Sequence, residues 1–330
     1  MQTEERYYRM LNRLQAGAET AACGARLIQM ERLARLGVMS RLMFERMEQK
    51  LRTIKTIHDA AGSNWNMTFF VMFMRTLGDA SNREAFMRVA WKAGCNAVLN
   101  ERSSEMAVEA LLLGTSGLLE AYPADGYTRR LAAEFAHLSH KYAIEPMSAG
   151  EWNLHRINPR NHPVLRLAQA AAFFTASDLA FSRTMECRTA DDVAQLFGAE
   201  ASEYWATHFT PGSESDESPK RIGHVKASLI GINLVAPMQF AYGRVMENEQ
   251  MRGRAMELLE SIAAEDNRYM RRWAAYGAVP ATAYDSQALL QLSTSYCDRQ
   301  RCEECPLGRL ILKESVQEPA AGESAGLRSW

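Results

Sequence analysis

Residues 41–60 read RLMFERMEQKLRTIKTIHDA. Met43, Met47, Leu51, Ile54 and His58 follow one another at steps of three and four, which lines them up along one face of a helix. The charged side chains fall between them. Working outward, the same period recurs through most of the chain, whereas β-branched residues are too scattered to build strands. The spacing predicts helices near residues 4–16, 26–61, 66–77, 82–93, 104–114 and 127–143. It predicts further helices near 163–184, 189–198, 223–246, 250–276, 283–294 and 304–314. The expected fold class is all-α, an irregular multi-helix bundle of about a dozen helices. Asn64, Asn82, Ser103 and Asp285 read as caps, and Pro123, Pro146, Pro159 and Pro280 sit between helical runs, where a missing N–H costs least.

A change of composition at MSAGEWNLHRINPRNHP, residues 147–163, suggests a boundary between an N-terminal helical layer, 1–150, and a C-terminal one, 151–314. TPGSESDESPKR, residues 210–221, is polar, acidic and punctuated by proline, so it reads as a mobile surface loop. SVQEPAAGESAGLRSW, residues 315–330, reads as a disordered tail.

Composition narrows the function. The 330 residues are 47% hydrophobic, enough for one large core or two moderate ones without disulfides. With 38 basic against 39 acidic side chains there is no long-range field toward nucleic acid or an anionic membrane, so binding to DNA or RNA requires a local basic patch. Between residues 26 and 55, eight basic residues stand against three acidic ones, spread around the helix. The N-terminus MQTEERYYRMLNRLQ is charged from its fourth residue, and no window reaches the roughly 18 apolar residues of a membrane span. A cytoplasmic protein with reduced thiols is expected. No glycine-rich phosphate loop, G-x-S-x-G elbow or dinucleotide fingerprint is present, which removes the main support for the corresponding chemistries.

Two stretches carry candidate sites. In SYCDRQRCEECPLG, residues 295–308, Cys302 and Cys305 form a C-x-x-C knuckle and Cys297 lies upstream as a third thiol. Such spacing lets thiolates face one tetrahedral ion, with zinc or an iron–sulfur cluster as the guest. A fourth ligand would have to be Cys23, Cys95, Cys187, a histidine or solvent. The alternative is a tight turn of half-buried thiols ahead of the helix that Pro306 begins. In EWNLHRINPRNHPVLRLAQ, residues 151–169, Asn161 and Pro163 open a helix, and Arg156, Arg160 and Arg166 can converge near its N-terminus. Backbone amides and guanidinium forks together suit phosphate. The alternative is a capped helix whose arginines bridge carboxylates and carbonyls between helices. A third stretch, IAAEDNRYMRRW, offers Glu265 and Asp266, which adjacent helical positions would point about 100° apart.

Several stretches together resemble a bacterial family catalogued as domain of unknown function 2851. They are ERMEQK at 45–50, SNW at 63–65, LGDASNREAF at 77–86, EALLLGTSGLL at 109–119 and W-x3-R-x2-P-x-N-x-P-x2-R from Trp152 to Arg166. YW at 204–205, INLVAP at 232–237, AEDN at 264–267 and the cysteine loop complete the set. Asn158 and His162 stand where the family pattern has arginine and phenylalanine. The resemblance implies a neighbouring nuclease-like portion, marked by G-P-D-F and E-I-H stretches that do not occur in this sequence. The leading expectation is therefore a non-catalytic helical module that binds nucleic acid or a partner protein through Arg156, Arg160, Asn161 and Arg166. The alternatives are a metal-binding enzyme or redox protein built on Cys297, Cys302 and Cys305, and a structural scaffold or oligomerisation domain.

Overall fold

A computed structural model of the chain describes residues 2–16, 20–122, 124–178 and 180–317. It is an all-α, multi-helix structure, and among the described residues the only sheet is a two-stranded hairpin, His208–Thr210 with Ser213–Glu214. Among the described residues no single helix is long and apolar enough to cross a membrane.

The chain forms two compact units. One contains residues 1–48 and 263–330, the other residues 49–262. This division differs from the one expected near residue 150. The reason is local: Met147 N donates to Thr115 O at 2.8 Å and the Trp152 indole N–H to Ser116 O at 2.9 Å, so residues 147–163 are stitched to what precedes them.

The core of the 49–262 unit follows from two helices that are predominantly apolar and buried along most of their length. Trp65–Leu77 contributes Phe69, Phe70 and Phe73, and Pro163–Ala176 contributes Phe173 and Phe174. Phe173 lies with its ring centre 4.8 Å from that of Phe73 and 4.8 Å from that of Phe197, giving offset and tilted aromatic pairs in a dry centre. Glu105–Thr115 is buried along its whole length, and Gly126–Tyr142 approaches it closely because Gly114 has no side chain. A Cβ there would stand 2.0 Å from the Phe135 ring.

In the other unit, Gln2–Gln15 packs on Pro306–Gln317, and Arg268–Ala275 on Ala283–Ser295. The Trp273 indole N–H donates to Ser293 Oγ at 2.8 Å in its core.

The predicted helices are present, with instructive breaks. The run expected at 26–61 is Thr20–Gln29 followed by Arg32–Ala60. The run expected at 250–276 is Glu249–Ser261 and Arg268–Ala275, because residues 262–267 are extended and Ala263 bridges Thr282. The run expected at 163–184 likewise divides into Pro163–Ala176 and Ala180–Glu186, while His224–Val245 is continuous but holds a π-helical turn at Gly231–Val235. Asn64 caps as expected, its Oδ1 accepting from Met67 N at 3.1 Å. Ser104, not Ser103, caps Glu105–Thr115, and Asp285 serves as the third residue of a capping box opened by Thr282. Asn82 makes no capping bond; its amide pairs with the backbone of Asn153 in both directions, at 2.8 and 2.9 Å. Pro123 and residues 318–330 of the expected tail lie outside the described residues, while residues 315–317 finish the last helix.

Candidate functional site

A cleft of about 400 Å³ opens in the 49–262 unit beside the N-terminus of Pro163–Ala176. The local sequence explains how that helix starts. Asn158 Oδ1 accepts from Arg160 N at 3.0 Å and folds Pro159–Asn161 into a single 3-10 turn, and Pro163 supplies a preset φ in the first helical turn. His162 is buried; it accepts from Val164 N through Nδ1 and meets Tyr122 Oη at 2.9 Å through Nε2. Burial pushes its pKa down to about 4. Asn158 and His162 thus do local architectural work at the start of this helix.

Arg166, one turn into the helix, forms the floor of the cleft. Its side chain is 5% exposed. Nη1 donates to Gln169 Oε1 at 2.8 Å and Nη2 to Asn161 Oδ1 at 2.6 Å, while Nε is buried with no acceptor among the described residues. Gln169 in turn donates to Lys220 O at 3.1 Å, which fixes the strand-to-helix connection against the same helix.

Lys220 belongs to the stretch expected to be mobile. It is instead 3% exposed, its Nζ donating to Ala206 O, Ser218 O and Ser218 Oγ, and lying 4.2 Å from the Phe209 ring centre. The hairpin and these bonds order a segment that composition alone leaves unstructured. Lys226, 7% exposed, donates to Thr76 O and Leu77 O at the end of Trp65–Leu77 and to the Asp79 carboxylate. A cation there also meets the negative end of a helix dipole.

The lining therefore holds Arg160, Arg166, Lys220, Arg221 and Lys226 against one carboxylate, Asp79. Lys226 is ion-paired with Asp79; among the described residues Arg160, Arg166, Lys220 and Arg221 have no such partner. Of the carboxylates and carbonyls expected as partners, Arg166 takes the amide oxygens of Gln169 and Asn161. Burial lowers the pKa of Lys220, Lys226 and Arg166; the Asp79 carboxylate opposes this at Lys226 and Arg166, while Arg160 adds to it at Lys220 and Arg166 at Lys226. An arginine stays protonated despite such a shift. The arrangement stores unsatisfied positive charge in a concavity, which is what an anion relieves.

Of the residues expected from sequence, Arg160, Asn161 and Arg166 come together here. Arg156 does not: it is exposed, at φ 53°, and does not line the cleft. Asp79, Lys220, Arg221 and Lys226 were not foreseen. Asp79 and its left-handed φ of 50° sit inside the LGDASNREAF stretch, the one signal that could have drawn attention to it.

The cysteine loop is arranged differently from the expectation. All three thiols are free, Cys305 buried and Cys297 and Cys302 partly so. Among the described residues no group of three His, Cys, Asp or Glu side chains is placed to hold a metal ion. Cys297, Cys302 and Cys305 are thus not brought together as ligands for zinc or an iron–sulfur cluster. Burial pushes the Cys297 thiol up to about 12 and raises Cys302 and Cys305 as well. Backbone bonds hold the turn, with Arg301 N donating to Tyr296 O at 2.9 Å and Cys305 N to Arg301 O at 3.0 Å. Gly308 lets the following helix pass over Cys302, whose carbonyl oxygen would lie 2.2 Å from a Cβ. Cys95 and Cys187, weighed as fourth ligands, belong to the 49–262 unit and donate to the local carbonyls of Asn66 and Arg183.

Several basic residues of the long helix are engaged singly. Arg41 pairs with Glu45 and Lys55 with Asp59, while Arg46 Nε donates to Gln287 Oε1 at 3.0 Å. Glu265 and Asp266 have separate partners, Gln287 with Ser286 for the first and Arg271 for the second.

A family model described as a protein of unknown function, DUF2851, matches residues 1–268. This chain is a member of DUF2851. No curated protein and no solved structure resembles it closely enough to be called a match. The DUF2851 span includes every residue that lines the cleft and ends before the cysteine loop. The quoted DUF2851 stretches meet in space: the Phe86 and Trp152 rings stand 5.1 Å apart, Trp152 bonds Ser116, and Lys50 donates to Ile232 O at 2.8 Å and Asn233 Oδ1 at 3.0 Å in the π-helical turn.

Proposed function

We propose that this chain is a helical module that binds nucleic acid through the cationic cleft, alongside a nuclease-like portion of the kind the family resemblance implies, in the cytoplasm. The observation that carries this reading is Arg166: a residue 5% exposed, with an unpartnered Nε and no ion pair of its own, whose neighbouring carboxylate, Asp79, is already paired with Lys226. Burying a charge without a counter-ion is costly, and folds retain it where a ligand supplies the counter-ion. Arg160, Lys220 and Arg221 extend the same positive surface, which supports phosphate contacts in a chain whose net charge is only −1.

Fluorescence anisotropy of labelled single- and double-stranded DNA across a salt series tests the proposal. Two to four phosphate contacts should weaken binding by about 10- to 150-fold between 50 and 200 mM salt. Absence of binding to either form at low salt would discard nucleic acid as the ligand.

A further inference from the structure

We infer that the cleft takes the phosphomonoester end of a nucleic-acid strand, with Arg166 at its floor, rather than the continuous phosphodiester backbone. This rests on the nucleic-acid reading above and narrows it to a chain terminus. Arg166 is reached at the bottom of a cleft of about 400 Å³, near the lower end of the ~300–1,000 Å³ that small-ligand sites occupy. An internal phosphodiester is tethered on both sides, so bringing its oxygens to that floor would force two sugars into the same narrow space. A terminal phosphate has one tether, three free oxygens and a charge of about −1.5 to −2, and can enter end-on.

The donors match that shape. Arg166 spends one N–H of each Nη on Gln169 and Asn161 and keeps the others, and Arg160 and Arg221 line the cleft from exposed positions, whereas Lys220 and Lys226, each with three protein acceptors, contribute positive charge rather than donors. Several donors around one anion satisfy three oxygens, whereas the two free oxygens of a diester would leave part of the positive charge unanswered. Part of the remaining lining is apolar. Leu165, Phe209, Val225 and Leu229 border the cleft, and Val225 is 81% exposed, an uncommon state for valine in a concave site. These side chains provide a surface for the terminal nucleoside to lie against while its phosphate is inside.

Asp79 sets the balance. Its carboxylate is bonded to Lys226 and faces the cleft, so it opposes an incoming anion while neutralising one of the five cations.

Oligonucleotides of one sequence bearing a 5′-phosphate, a 3′-phosphate or hydroxyls at both ends, together with a nucleoside monophosphate, test this by competition anisotropy on the full chain. One of the phosphorylated strands should bind at least tenfold more tightly than the hydroxyl strand. Arg166→Met should abolish that preference, and Arg160→Ala, at an exposed position, should reduce it. Asp79→Asn should strengthen it several-fold. Equal affinity for phosphorylated and hydroxyl strands would overturn end recognition while leaving nucleic-acid binding intact. Failure of every strand to bind would overturn both readings. Competition by the monophosphate as strong as by the phosphorylated strand would make the ligand a free nucleotide and overturn the strand end.

Discussion

The indole Nε1 of Trp205 donates to Oε1 of Glu109 at 2.8 Å in the interior of the 49–262 unit. Glu109 is fully buried, and its other oxygen accepts from Ser202 Oγ at 3.1 Å. Neither residue stands out in the sequence, yet they join two of the stretches that carry the family resemblance. Tyr127 closes the group by bonding Ser202, and its ring stacks on that of Tyr204 at 4.2 Å.

Burial pushes the Glu109 carboxyl from its ordinary value near 4.5 up to about 7, against the opposing hydrogen bonds of Trp205, Ser202 and Tyr127. The folded state therefore holds a proton that the unfolded chain gives up between these two values. This group's stabilising contribution is complete below about pH 4.5 and is lost as the pH rises to about 7, on the order of 3 kcal/mol in total. Glu109→Gln keeps an acceptor for the indole and removes the titration. Its melting temperature, compared with the parent from pH 4.5 to 8, should gain on the parent as the pH rises; parallel curves would contradict a raised carboxyl.

His162 has the opposite sign. Its folded-state pKa near 4 lies below the ordinary 6.5, so the unfolded chain takes up a proton first and stability falls as the pH drops from about 6.5 toward 4. His162→Phe, the residue expected from the family pattern, should remove this loss on acidification. A variant whose acid limb matches the parent's would show that His162 does not titrate as its burial dictates.

Gly117 sits at φ 71°, and a Cβ there would be 2.0 Å from Met147 O. Gly117→Ala should cost at least ~2 kcal/mol, because backbone strain and a clash with main chain add together. Gly253 is an exposed position in the Glu249–Ser261 helix with open space around its Cα, so Gly253→Ala should stabilise by roughly 0.5–1 kcal/mol. Chemical denaturation of the two variants should give opposite signs.

Cys297 should react slowly with iodoacetamide at pH 7.5, since burial keeps its thiol protonated with a pKa of about 12. Mass spectrometry of the native and denatured protein measures the difference. Rapid native-state alkylation, or co-purification of a stoichiometric metal, would show a loop poised as thiolate.

The sequence by itself determined the helices and most of their starts, because a period of three to four and a cap depend on residues within one or two turns of each other. It also pointed to Arg160, Asn161 and Arg166 because they lie within seven residues around a helix start, although His162 rather than Asn161 caps that helix. Only the tertiary structure decided the rest. Lys226 reaches Asp79 across 147 positions, and Lys220 is drawn in from a segment too polar to order itself, by carbonyls that composition does not reveal. The three cysteines show the converse, since close spacing makes ligation possible while burial and the path of the backbone decide whether thiols meet as ligands. Local periodicity is written in neighbours; charge convergence and exclusion of water depend on which distant segments pack together.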